Sequence, residues 1–225
     1  MRRTFEIGGK TVFVFHSNRP GSPVIYLNTY SDERQKIYEA VQATGCPPFT
    51  LVTVSNLAWN HDMAPWDSPA AFKKGEPFIG EADNYLQLLV EEIIPRAEKE
   101  LAEPPVWRGI AGYSLAGLFA LYAIYRTDVF SRVGCMSGSL WFPGFKEYIF
   151  SHEPKRRPDC IYFSLGDKEA KARNSVLKTV QGNTEEIQAF YQSKGIDTVF
   201  QLNPGNHFVQ GIERTVAGIQ WLLSK

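Results

Sequence analysis

Residues 108–126 read RGIAGYSLAGLFALYAIYR, an uncharged run held between two arginines with a serine near its middle. About 17 residues is close to the lower limit for a membrane-spanning helix, so length alone does not decide how the run folds. Its two halves differ. Residues 109–112 are small or β-branched, with glycine at 109 and 112, whereas residues 115–126 are rich in leucine, alanine and aromatics. That division predicts a buried strand, a sharp turn at Ser114, and a helix covered by protein.

The same alternation extends along the chain in both directions. The stretch TFEIGGKTVFVFHS, residues 4–17, reads as a hairpin turning at Gly8 and Gly9. Strands are predicted at 23–28, 49–55, 106–113, 132–139, 160–166 and 197–205, and amphipathic helices at 33–44, 81–102, 115–126, 173–194 and 209–224. In the second of these helices, Tyr85, Leu88, Leu89 and Ile93 recur at helical spacing, and Pro95 is expected to kink or end it. The middle strands are almost continuously apolar, as strands covered on both faces must be. Strand alternating with helix implies parallel crossovers, hence an α/β fold: a mostly parallel central sheet with an N-terminal antiparallel hairpin and helices on both faces. No repeat or linker divides the chain, so residues 1–225 are expected to form one domain. The long aperiodic segment 56–80 is expected to serve function.

Charge narrows the partners. Lys plus Arg and Asp plus Glu each number 24, so no basic field exists to attract a phosphate backbone, and nucleic acid is not an expected partner. Lys155, Arg156 and Arg157, set between two prolines, read as a solvated loop. The three cysteines, Cys46, Cys135 and Cys160, are odd in number and lack C-x-x-C spacing, which suits reduced thiols. Two early arginines are followed by Glu6 and Lys10 and not by a long apolar segment, so a cytoplasmic location without membrane attachment is expected. His61 beside Asp62 has no third ligand at useful spacing, and neither a metal nor another cofactor is expected.

A serine on a tight strand-to-helix turn is pushed out of the sheet top and faces the unpaired N–H groups of the helix start. Close passage of strand and helix requires small neighbours, here Gly112 and Ala116. A serine hydroxyl becomes a nucleophile only if a histidine takes its proton and an acid orients that histidine. On such a scaffold the chain order is serine, acid, histidine. His16 and His61 precede Ser114, and His152 lies in a charged loop. His207, in NPGNHF just after the strand 197–202, stands where the base belongs. The acid should follow the strand 160–165, where SLGDKEAK offers Glu169, favoured here, with Asp167 as the alternative.

This constellation resembles the α/β-hydrolase esterases of the group that includes esterase D, feruloyl esterases, mycolyltransferases and enterobactin or salmochelin trilactone esterases. The resemblance is carried by GYSLAGLFALYA, DVFSRVGCMSGSLWF, EEIIP, SLGDKE and GNHF, and spans most of residues 81–208. It implies a serine hydrolase with Ser114 as nucleophile, His207 as base and an acid matching Glu169. It also implies oxyanion donors at the N–H of Leu115 and at about Tyr30. The chain departs from the pattern at Ala116, where glycine is usual, and at NTYS (28–31), where relatives often have a His-Gly or Asp-Gly pair; Thr29 and Ser31 are therefore further candidates for the second donor.

Trp59, Asp62 and Trp66 in the long segment, and Leu140 with Trp141 after the next strand, are expected at the C-terminal edge of the sheet as a site for a small-molecule ester. Alternatively, tryptophans in a long loop act as plugs that fix it. The leading expectation is hydrolysis of carboxylic esters through an acyl-serine. Thioester cleavage or acyl transfer on the same residues, and a non-catalytic binding protein on the same fold, are the rival readings.

Overall fold

Gly8 and Gly9 both take positive φ, 54° and 72°, and close the two-residue turn between β1 (Arg2–Ile7) and β2 (Lys10–Phe15). Two successive residues with positive φ match the right-handed twist of the paired strands, which is why glycines stand there. The computed structural model describes residues 2–30, 32–71 and 74–225.

From this hairpin the chain continues through β3 (Val24–Asn28), β4 (Thr50–Ser55), β5 (Arg108–Tyr113), β6 (Arg132–Met136), β7 (Cys160–Gly166) and β8 (Asp197–Asn203). All eight join one sheet in the order β1-β2-β4-β3-β5-β6-β7-β8. β2 runs antiparallel to β4, and every pair from β4 onward is parallel. The residues of β3 and β7 are buried throughout, which accounts for their mostly apolar sequence, interrupted at Asn28 and Ser164.

Helices cover both faces. α1 (Arg34–Ala43) and the last helix, α8 (Gly211–Leu223), pack Ile37, Val41, Ile219 and Leu222 against Ile25, Leu27 and Leu51. The opposite face takes α3 (Ala82–Leu88), α4 (Ile94–Glu98), α5 (Leu115–Arg126), α6 (Phe145–Ser151) and α7 (Val180–Ser193). Every residue of α5 from Leu115 to Tyr125 is buried. Its tyrosines keep their hydroxyls satisfied inside protein: Tyr122 donates to Asp83 at 2.8 Å, and the Tyr125 and Tyr191 hydroxyls share a 2.8 Å bond. The apolar run 109–125 is thus strand and core helix, and no described helix is long and apolar enough to cross a membrane.

Several boundaries differ from the sequence expectation. The helix expected over 81–102 passes Pro95 without breaking: a π turn, Leu89–Ile93, links α3 to α4, and Pro95 falls in the first turn of α4. Widening the turn to i+5 bonding leaves room where the proline ring would meet a preceding carbonyl. β6 stops at Met136 because Ser137 takes φ 44°, and the chain leaves the sheet. The helix expected from 173 starts at Val180, after a 3₁₀ turn at Leu177–Thr179. Among its described residues, segment 56–80 contains one helical turn, α2 (Trp59–Asp62), and a bridge between Ser68 and Phe78. α6, which the sequence reading passed over, is too short to show a period.

Candidate active site

Ser114 sits between β5 and α5 with φ 61° and ψ −125°, a conformation that costs a non-glycine residue roughly 1–3 kcal/mol. It is held there from both sides. Its N–H donates to Met136 O at 3.0 Å, and its carbonyl accepts from Gly117 N at 3.0 Å and Ser139 N at 3.0 Å. The side chain is thereby thrust above the sheet, where Oγ lies 2.9 Å from His207 Nε2.

His207 follows β8 in the turn before α8. Its Nδ1 is 2.7 Å from Glu169 Oε2. Glu169 opens a short 3₁₀ turn after β7 and is buried, while its other oxygen, Oε1, accepts from Gly166 N at 2.7 Å and from Arg214 Nη1 at 2.9 Å. Burial pushes the Glu169 carboxyl up, but the hydrogen bond and charge of His207, the Gly166 N–H and the Ser137 hydroxyl outweigh it, and the net direction is below the ordinary carboxylate value. Ser114, His207 and Glu169, expected together from chain order, form one continuous hydrogen-bonded line. Asp167 is turned elsewhere: its Oδ1 accepts from Gly205 N at 2.8 Å, and its own N–H donates to Asn203 O at 2.8 Å. It ties the His207 turn to the end of β7.

The expected oxyanion donors stand at the same edge. β3 and β5 pair with Asn28 opposite Gly112, so the chain leaves both strands at the same edge, and Tyr30 and Ser114 line one cleft. The Thr29 N–H is spent on Val54 O at 2.9 Å. Among the described residues, no backbone carbonyl takes the N–H of Tyr30 or of Leu115. Ser31, the other neighbour considered, lies outside the described residues.

These groups open on a cleft of about 1120 Å³. One wall comes from the chain after β3 and from Leu57 to His61, the other from Phe208 and the start of α8. Of the five residues expected to line it, Trp59 does so, with its ring 5.3 Å from that of Tyr30, whereas Leu140 is fully buried in the core. Asp62 instead is buried, where it pairs with Lys10 and accepts the Ala58 N–H at 2.7 Å, closing the turn of α2. Trp66 donates to Pro143 O at 3.0 Å and packs against Phe142, Phe145 and Tyr148. Trp141 packs against Phe78. Asp62, Trp66 and Trp141 lie outside the cleft and anchor the long segment, because a loop of this length needs buried side chains to hold it. The sequence reading missed Arg214, Tyr113 and Phe208. A signal for Arg214 existed: it lies four residues before Gly218 and eight before Leu222, on the buried stripe of the last helix.

Strand order, the strained turn after β5 and the loops gathered at the C-terminal edge define an α/β-hydrolase. The chain belongs to the family described as "Putative esterase", which matches residues 12–212, and it is accordingly a hydrolase of the carboxylesterase class. Among curated proteins it is similar to the uncharacterized protein YbbA of Bacillus subtilis (strain 168), with 21% identity over 94% of this chain and 89% of that one. Among solved structures it resembles the siderophore hydrolase EstA of Aspergillus nidulans (TM-score 0.77, 16% identity, covering 99% of this chain and 94% of that one). It also resembles the BES protein of Bacillus cereus (TM-score 0.71, 19% identity, covering 99% and 95%).

Proposed function

We propose that the protein hydrolyses carboxylic esters through an acyl-Ser114 intermediate. The observation that carries the reading is the unbroken line of hydrogen bonds, Ser114 Oγ to His207 Nε2 at 2.9 Å and His207 Nδ1 to Glu169 Oε2 at 2.7 Å, at the wall of a cleft. As Oγ attacks the ester carbonyl, His207 takes its proton, and Glu169 accepts the Nδ1–H and stabilises the imidazolium. The N–H groups of Leu115 and Tyr30 receive the developing oxyanion. His207 returns its proton to the departing alcohol. It then takes one from water as the water oxygen attacks the acyl carbon, and returns that proton to Ser114 Oγ as the C–Oγ bond breaks and the acid is released.

A cleft of about 1120 Å³ lies just above the range of roughly 300–1,000 Å³ for drug-sized ligands, which supports an ester larger than a simple short-chain one. Because EstA is named a siderophore hydrolase, a siderophore ester is the first natural candidate. Labelling with a fluorophosphonate probe tests the chemistry directly. Ser114 should be modified, and Ser114→Ala should lose p-nitrophenyl ester turnover by about 10³-fold or more. Activity retained within tenfold would reject the assignment. An acyl-CoA of equal chain length, compared with the simple ester, separates thioesterase from esterase.

A further inference from the structure

The hydrolytic line needs one acid, one base and one alcohol, yet a cation is buried against it. Arg214, in the first turn of α8, is 1% exposed. Its Nη1 shares its two hydrogens among three acceptors, Glu169 Oε1 at 2.9 Å, Ser137 Oγ at 3.0 Å and the Tyr113 hydroxyl at 3.1 Å. Its Nη2 donates to the carbonyls of Pro204 and Asn206, each at 3.1 Å. The Tyr113 hydroxyl in turn donates to the carbonyl of His207 at 2.7 Å, and burial, which pushes that phenol up, keeps it a donor. One guanidinium therefore touches the ends of β5, β6 and β7 and the turn after β8. The backbone is shaped to admit it: a Cβ on Gly166 would stand 2.7 Å from Nη2 and 2.3 Å from Gly205 O.

The contacts are selective. Oε1 of Glu169 is shared between Gly166 N–H and Arg214, which leaves Oε2 for His207. Pro204 and Asn206 belong to the turn that carries the imidazole. A planar fork can bond a carboxylate and two carbonyls in fixed directions at once, and an ammonium cannot.

We propose that Arg214 is a positioning residue of the hydrolytic site: its guanidinium selects the Glu169 oxygen presented to His207 and holds the 204–207 turn in register with Tyr113 and Ser114. The inference rests on Ser114 being the nucleophile. A merely structural cation would set how much protein folds; a positioning cation also sets turnover per folded site.

The test compares Arg214→Met, Arg214→Lys and Tyr113→Phe in the full chain. Active sites are counted by fluorophosphonate titration, and kcat, KM and the pH profile are measured per active site. The charged and titratable groups facing His207 are Glu169 after β7, Tyr113 on β5, Arg214 and Glu213 on α8, and Glu33, His61 and Glu76 along the cleft. Removing the Arg214 charge leaves Glu169 less offset, so the acid limb of kcat/KM should move to higher pH in Arg214→Met and stay in place in Arg214→Lys. The expected loss in kcat is about 10²-fold for Arg214→Met and about tenfold for Arg214→Lys, with KM changed less than about threefold. Tyr113→Phe should lose about three- to tenfold.

A kcat per active site within threefold of wild type in Arg214→Met, with the acid limb unmoved, overturns the proposal. Should Arg214→Met not fold, Arg214→Lys and Tyr113→Phe both within twofold of wild type overturn it. A wild type that the phosphonate never labels defeats the esterase reading instead. The NMR titration of the His207 ring then still decides: a curve shifted in Arg214→Met, or in Tyr113→Phe if Arg214→Met does not fold, supports the proposal, and an unshifted curve overturns it.

Discussion

A Cβ built on Gly112 would stand 2.4 Å from both the carbonyl carbon and the carbonyl oxygen of Ala116. Strand β5 and helix α5 pass each other at a spacing that only a hydrogen at position 112 allows. From the helix side, a Cβ on Gly117 would lie 3.0 Å from Gly112 O and 3.1 Å from the Gly138 Cα. The departure from G-x-S-x-G at Ala116 is therefore absorbed by Gly112, and the strained Ser114 backbone is kept by two arms that cannot separate.

Gly112→Ala is expected to abolish the fold or the geometry at Ser114, because the clash is with backbone that has nowhere to go. Ala116→Gly should be tolerated, with ester turnover within about threefold and a loss of about 1 kcal/mol from a glycine inside a helix. Thermal melts and phosphonate labelling of both variants check this. A Gly112→Ala protein that labelled at the wild-type rate would show that the close approach is not needed.

Glu169 and Asp167, two residues apart, divide two tasks, so their amide variants should differ. Glu169→Gln keeps size but removes the charge bonded to the imidazole, and on the proposed mechanism kcat should fall by roughly 10² to 10⁴. Asp167→Asn keeps an oxygen to accept the Gly205 N–H, and its activity should remain within about threefold. Steady-state kinetics on a p-nitrophenyl ester decide between them, and equal losses would contradict the division.

Much of this architecture could be read from residue order. Strand–helix alternation gave the sheet, and the order serine, acid, histidine narrowed the many polar residues to Ser114, His207 and an acid at Glu169 or Asp167. What could not be read depends on distance across the fold. The choice between Glu169 and Asp167 turns on where a short 3₁₀ turn points each carboxylate. The tryptophans of segment 56–80 look alike in sequence, yet Trp59 lines the cleft while Trp66 is an anchor, because the direction of each is set by α2 and α6. Arg214 was hidden by habit, since an arginine at a helix start reads as solvated until its place on the buried stripe is noticed.

The cleft carries the carboxylates of Glu76 and Glu213, and none of its described lining residues is lysine or arginine. Anionic esters should enter less readily than neutral ones of equal shape. For a matched pair differing by one terminal carboxylate, kcat/KM should favour the neutral ester by about three- to tenfold at low salt, and the gap should narrow as ionic strength rises. Glu213→Gln should narrow it too. A salt-independent preference would assign it to shape and not to charge.

Glu169 also ties the site to stability. Its folded value lies below the ordinary 4.5, through the balance in which burial opposes, and is outweighed by, His207 and the other hydrogen-bond donors. A carboxyl whose folded value is depressed contributes stability above its unfolded value and loses it as the pH falls through the folded one. The urea midpoint of the wild type should therefore fall more steeply below about pH 4.5 than that of Glu169→Gln, which has nothing to titrate there. Well above the histidine range, where the imidazole is neutral in both, the two curves should run parallel, with the wild type higher, because the variant leaves Arg214 buried without its carboxylate partner. Curves parallel through the whole acid range would mean that the Glu169 carboxyl titrates alike in the folded and unfolded chain.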